Sequence, residues 1–178
     1  MDAVEIDVER LVAAVRRRPW RDVVAEAARR APQRFAAVTA AGGAAPLALL
    51  PLRAGQRALV VGDAWGQLAV PLARRATVAA LLPSPTLAAL LRGVALQEGA
   101  RLLVCAGRLA APPFAAGAFD LVLLQGELGG EPDLLAAAHL VAPGGVVYAT
   151  AANPLAGGRR ADPPGGGGLT LAELRTRV

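Results

Sequence analysis

RALVVGDAWGQLAVPL, residues 57–72, is the stretch on which the fold turns. Ala58, Leu59, Val60 and Val61 run without alternation into Gly62; Gly66 follows four positions on, and an apolar helical pattern then begins. An unbroken apolar run of this length suits the centre of a parallel sheet covered on both faces. The glycines suit the turn behind it. Ligands of such sheets bind outside the carboxyl ends of the strands, where a side chain would block their approach. The stretch reads as strand, glycine-bearing turn, helix.

Downstream, the same alternation continues. Residues 77–82 form a second apolar strand, and Ser84-Pro85 opens a helix, with serine as N-cap and proline at the first helical position, that runs to about Glu98. Residues 101–106 and 119–125 read as the third and fourth strands, residues 132–141 as a helix, and residues 145–151 as a fifth strand behind the turn Pro143, Gly144, Gly145. Strand and helix in alternation mean parallel strands joined by right-handed crossovers, hence an α/β, doubly wound, mostly parallel open sheet.

Upstream, Val8, Leu11, Val12 and Val15 recur at helical steps until Pro19. A second helix spans residues 21–30, Pro32 breaks it, and a third covers residues 33–41. Trp20, a large ring in a ring-poor chain, reads as the anchor that docks these helices. After residue 153 glycine and proline dominate, a composition that buries too little to fold, before a short terminal helix over residues 169–178. Three parts result: a helical cap (1–45), an α/β domain (46–153) and a linker with a short helix (154–178).

Composition narrows the function classes. With 178 residues the chain suffices for one domain; hydrophobic residues make up 54% but aromatics only 3%, so the core is built from Ala, Leu and Val. No run is long enough to span a bilayer and the acidic start lacks a signal-peptide plan, so a cytoplasmic protein without membrane contact is expected. Cys105 stands alone, which fits a reducing compartment and gives no metal spacing. All 19 basic residues are arginine, and a lysine-free chain rich in Ala, Gly and Pro points to GC-rich coding. The net charge of +5 therefore does not by itself call for a nucleic-acid partner.

From residue 57 to residue 150 the chain resembles the class I S-adenosylmethionine-dependent methyltransferases. Residues 59–66 match the family's first strand and glycine-rich loop, and Ser84-Pro85 matches the opening of its second helix. GRLAAPPF (residues 107–114) is similar to the segment that closes over adenine, Phe119-Asp120-Leu121-Val122 to the fourth strand, and LVAPGGVV (residues 140–147) to the turn into the fifth. The resemblance implies a cofactor site at Gly62, Asp63, Ala64, Gly66, Leu82, Arg108 and Leu109, with S-adenosylmethionine as the cofactor. Glu127, in the loop after the fourth strand, is the candidate catalytic residue; His139 has no Ser or Cys partner in sequence for a nucleophilic pair, and Cys105, inside a strand pattern, reads as a small core residue.

Several of these positions depart from the family. Val60 stands where it has an acid, Ala64 where it has the middle loop glycine, Leu82 where a carboxylate binds the ribose hydroxyls, and Arg108 where an acid faces adenine. Charge-assisted hydrogen bonds are worth ~1.5–3 kcal/mol each. A loss of about 4 kcal/mol would cut affinity roughly a thousandfold. Asp63 could compensate by reaching the methionine amine or pairing with Arg108. The favoured expectation is a methyltransferase-like domain acting as a non-catalytic scaffold or regulatory partner; the alternative is an active methyltransferase of a small molecule with an atypical site. Nucleic-acid binding ranks below both.

Three structural expectations follow. Trp65, Leu82 and Arg108 fill the mouth of the cofactor crevice. The N-terminal helices pack on the domain near that crevice. Strand order is 3-2-1-4-5 with the family's final hairpin missing, so that the fifth strand is an open edge for a second copy or another protein.

Overall fold

The computed structural model describes residues 7–39, 45–48, 50, 53–125 and 131–149. The sheet is built from β1 (Arg57–Val61), β2 (Thr77–Leu82), β3 (Leu102–Ala106), β4 (Phe119–Leu124) and β5 (Val141–Ala149). All pairings are parallel and the order is β3-β2-β1-β4-β5. Val61 lies beside Leu81 on one side and Leu124 on the other, so the carboxyl ends of β1, β2 and β4 finish level. This is the expected doubly wound architecture.

Alternation along the strands sends side chains to two cores. On one face Ala58, Val60, Ala80, Leu82 and Leu123 meet α4 (Ala69–Leu72), α5 (Pro85–Gln97) and Leu47 of a short 3-10 turn. On the other, Leu59, Leu81, Val122 and Leu124 meet α6 (Glu131–Leu140) and the connection from β3 to β4, which supplies Leu109 and Phe114. Helix α5 begins as its sequence predicts, with Ser84 Oγ accepting from Leu87 N–H and Pro85 at the first helical position. Helix α4 is a single turn, shorter than the pattern after Gly66 suggests; Pro71 fits within it because first-turn N–H groups have no helical partner.

Strand β5 starts four residues earlier than residue 145. The Pro143-Gly144-Gly145 segment is not a turn before the strand but an irregularity inside it: Phe119 pairs with Val141 and Leu121 already pairs with Val146. Gly145 permits this. A Cβ there would lie 2.7 Å from the Asp120 carbonyl oxygen. β5 closes the sheet at one end of the order, and Val146 on it is 41% exposed. The expected loss of a final hairpin and the expected terminal helix concern residues 150–178, outside the described residues.

The N-terminal helices are docked. They are α1 (Val8–Val15), α2 (Trp20–Arg30) and α3 (Pro32–Thr39), and Pro32 starts the last of these rather than only ending its predecessor. Asp7 caps α1 by accepting from Arg10 N–H at 3.1 Å. Val15, 1% exposed, packs on α5 at Gly93, where a Cβ would stand only 3.0 Å from Val15 Cγ1. Trp20 is the anchor: its backbone N–H donates to Gln97 Oε1 and its indole N–H to Glu98 Oε1, both at 2.7 Å. Arg21 and Arg74 add ion pairs to the same Glu98. No helix among the described residues is long and apolar enough to cross a membrane.

Candidate site at the carboxyl ends of the strands

In an open α/β sheet the ligand crevice lies where the strand order reverses, here between β1 and β4. Both loop glycines have positive φ, +86° at Gly62 and +70° at Gly66. Their neighbours are the protein's own atoms. A Cβ at Gly62 would meet the Gln125 carbonyl oxygen at 2.4 Å, and one at Gly66 would meet Val70 Cγ2 at 2.6 Å and Leu91 Cδ1 at 3.1 Å. Side chains are excluded by β4 and by α4–α5 packing, so these glycines are required by the fold whether or not a ligand approaches.

Asp63 does not face a ligand. It is 2% exposed; Oδ1 accepts from Gln67 N–H at 2.8 Å, and Oδ2 accepts from Leu68 N–H at 2.8 Å and Ala69 N–H at 2.7 Å. Burial pushes its pKa up, while the backbone N–H groups of Ala69, Leu68, Gln67 and Gly66 pull in the other direction. The carboxylate thus satisfies the orphan donors that precede a one-turn helix. The pairing of Asp63 with Arg108 is not formed: Arg108 is exposed, in an isolated bridge with Ala111.

The other predicted positions separate. Leu82 is fully buried in the α4–α5 core with Val60, Leu68 and Leu91. Leu109 is half-buried in the opposite core beside Phe114. Ala64 packs between the sheet core and the cap. Trp65, expected to plug the crevice, turns instead under the helical cap, with its ring centroid 6.0 Å from Phe35 edge-on and 6.4 Å from Trp20. Glu127 lies outside the described residues. His139 is exposed on α6 and Cys105 half-buried in the second core, neither in the crevice.

Two residues that the sequence reading passed over do meet there. Gln67 Nε2 donates to the Val38 carbonyl at 2.9 Å, tying α3 to the loop, and Gln125 Nε2 approaches Gln67 Oε1 at 3.5 Å. A backbone carbonyl only accepts, so it orients Gln67, and Gln67 orients Gln125 in turn. Gln125 Oε1 is left buried without a partner, an acceptor at the mouth of the switch point. A polar residue closing β4 was the available signal.

Taken together, these side chains do not fit the polar half of S-adenosylmethionine. Leu82 has no acceptor for the ribose hydroxyls, Asp63 has spent its oxygens on the backbone, and exposed Arg108 puts a cation where the resembled family has the acid that faces adenine. Among the described residues no group of three His, Cys, Asp or Glu gathers to hold a metal.

No protein-family profile matches the chain, and no curated protein matches it. Solved structures do. One assigned as a sarcosine dimethylglycine methyltransferase from Galdieria sulphuraria superposes with a TM-score of 0.54 at 20% identity, over 61% of this chain and 44% of that one. Phosphoethanolamine N-methyltransferase 1 of Haemonchus contortus, in complex with phosphoethanolamine and S-adenosylhomocysteine, gives 0.54 at 15%, over 65% and 27%. The (4+2)-cyclase SpnF gives 0.52 at 25%, over 56% and 40%. The chain thus spans less than half the length of each. Strand order, crossover helices and these superpositions agree: the chain carries the class I S-adenosylmethionine-dependent methyltransferase fold.

Proposed function

We propose that this chain is a methyltransferase-fold domain that has given up cofactor chemistry and serves as a non-catalytic scaffold or regulatory partner in the cytoplasm. The observation that carries this reading is the fate of its two key positions. Position 82, where the family has its ribose carboxylate, is an apolar core position with no exposure, and the nearby loop acid, Asp63, is consumed by three backbone N–H groups. Among the described residues no carboxylate at the crevice replaces either contact; the unpartnered Gln125 Oε1 there is a neutral acceptor. Cyclase activity in SpnF fits the view that this fold does not dictate methyl transfer.

The surface offered to a partner is the outer edge of β5, with a second copy of the chain or another protein supplying a strand. Neither a membrane nor a nucleic acid is part of this reading. Calorimetry with S-adenosylmethionine and S-adenosylhomocysteine tests the cofactor half, and absence of heat up to millimolar ligand is expected. Micromolar binding would favour the alternative, an active methyltransferase of a small molecule with an atypical site. Light scattering across protein concentration tests the edge: a species that stays monomeric and captures no strand argues against it.

A further inference from the structure

The cap has a cleft of its own, about 270 Å³, between α1, α2 and α3 and away from the strand ends. Its floor is apolar, made by Leu11, Val23, Ala27 and Phe35. Its rim is charged and unequal: Arg10, Arg18 and Arg30 against Asp7 and Glu26. One carboxylate serves two guanidinium groups there, Glu26 Oε2 with Arg18 at 2.9 Å and Glu26 Oε1 with Arg30 at 3.0 Å, and Arg10 Nε pairs with Asp7 at 2.9 Å. Arg18 and Arg30 hold Glu26 in its ionised form, with its pKa lowered, so the rim keeps one net positive charge. Each guanidinium has five N–H donors and spends only part of them on these pairs.

We propose that this cleft is a binding site for a small amphiphilic anion, a medium-chain carboxylate whose apolar tail lies on the Phe35 floor and whose head group meets the arginine rim. Charge complementarity selects the anion, because a single carboxylate neutralises the rim while an ammonium would add to it. Size limits the tail. A half-open cleft of about 270 Å³ takes a medium-length chain, such as an eight-carbon acid with its head at the mouth. The site also has a line to the crevice: Phe35 lines the cleft on one side and packs edge-on to Trp65 of the β1–α4 loop on the other. Occupancy should therefore alter the surroundings of Trp65.

The test titrates the full chain with octanoate, octan-1-ol and n-octylammonium, using equilibrium dialysis for stoichiometry and tryptophan fluorescence for the Phe35–Trp65 link. One octanoate per chain is expected, bound about tenfold more tightly than the alcohol, with a saturable fluorescence change and no saturation by the ammonium. Arg30→Gln should weaken octanoate about fivefold, the scale of an exposed charge pair. Ala27→Leu should abolish binding by filling the cleft while leaving the thermal midpoint unchanged or raised; Ala14→Leu serves if that variant does not fold. Equal binding of acid and alcohol, or undiminished binding in a folded filled-cleft variant, overturns the proposal. So does protection of the cleft that follows protein concentration instead of octanoate, which would assign it to a second copy.

Discussion

The two ends of the sheet each carry one well-bonded aspartate, and the two are used in opposite ways. At the amino end Asp120 sits at the surface, with Oδ2 accepting from Arg57 N–H at 2.7 Å and Oδ1 3.4 Å from the Arg57 guanidinium. At the carboxyl end Asp63 is buried and takes three backbone N–H groups. In folds of this kind the carboxyl end holds the chemistry and the amino end the brace. Here the carboxyl end is braced as well, by the more buried of the two aspartates. Three of the residues expected at the crevice are turned inward, Asp63 into α4, Leu82 into the core and Trp65 under the cap.

The strongest way to break that comparison is to put an acid back. Leu82→Asp places a carboxyl among Val60, Leu68 and Leu91 with no described polar partner, and should cost about 4 kcal/mol or more in urea unfolding. For the same reason Leu82→Asp combined with Arg108→Asp is expected to destabilise the core without improving cofactor binding. A stable double variant that binds S-adenosylmethionine would show that the crevice, not the core, owns position 82. Next in size is Asp63→Ala, which frees three backbone N–H groups, those of Leu68 and Ala69 in buried bonds, and should cost about 3 kcal/mol, against a much smaller change for Asp120→Ala. Equal costs at the two sites would erase the distinction.

Trp65→Ala should follow at about 2–3 kcal/mol, with loosening of the cap as its signature. Hydrogen exchange distinguishes the two ways in which Trp65 could matter. If the ring serves the cap, α1 to α3 lose protection and the β1–β4 ladder keeps it; the opposite pattern would return Trp65 to the crevice.

What the sequence made legible is the part set by short-range pattern. Unbroken apolar runs marked β1, β2 and β4 and Ser84-Pro85 marked the start of α5; the strand order came from the family resemblance, and the docked cap from the helical spacing of Val8, Leu11, Val12 and Val15 with Trp20. The boundary of β5 was hidden because α6 passes directly into Val141 and the Pro143-Gly144-Gly145 segment, which looks like a turn, is absorbed as an irregularity against Asp120. The site was less legible because its meaning lies in side-chain direction. Asp63 precedes its helix by six positions, too far for an ordinary N-cap, so nothing local shows that it reaches back to Ala69. Trp65 meets Phe35 and Trp20 across thirty and forty-five residues, contacts that no local pattern reveals.

The smallest expected effect separates the two ends by sign. Backbone and side-chain hydrogen bonds from Arg57 hold the Asp120 pKa below its ordinary value near 3.8. The native state then binds fewer protons than the unfolded chain around that pH, so the contribution of Asp120 is present above pH ~4 and is lost as pH falls through the native value. Asp63 behaves inversely: burial raises its pKa above 3.8, so its contribution is complete below pH ~4 and declines as pH rises through the native value. Urea midpoints between pH 2 and pH 7 read both. Asp120→Asn should flatten the loss of stability on the acid side, and Asp63→Asn should flatten a decline on the other side, on top of a uniform loss from its broken backbone bonds. If both variants change the same limb, Asp63 is held by its N–H donors more than it is penalised by burial, and its carboxylate is ionised at every pH where the protein folds.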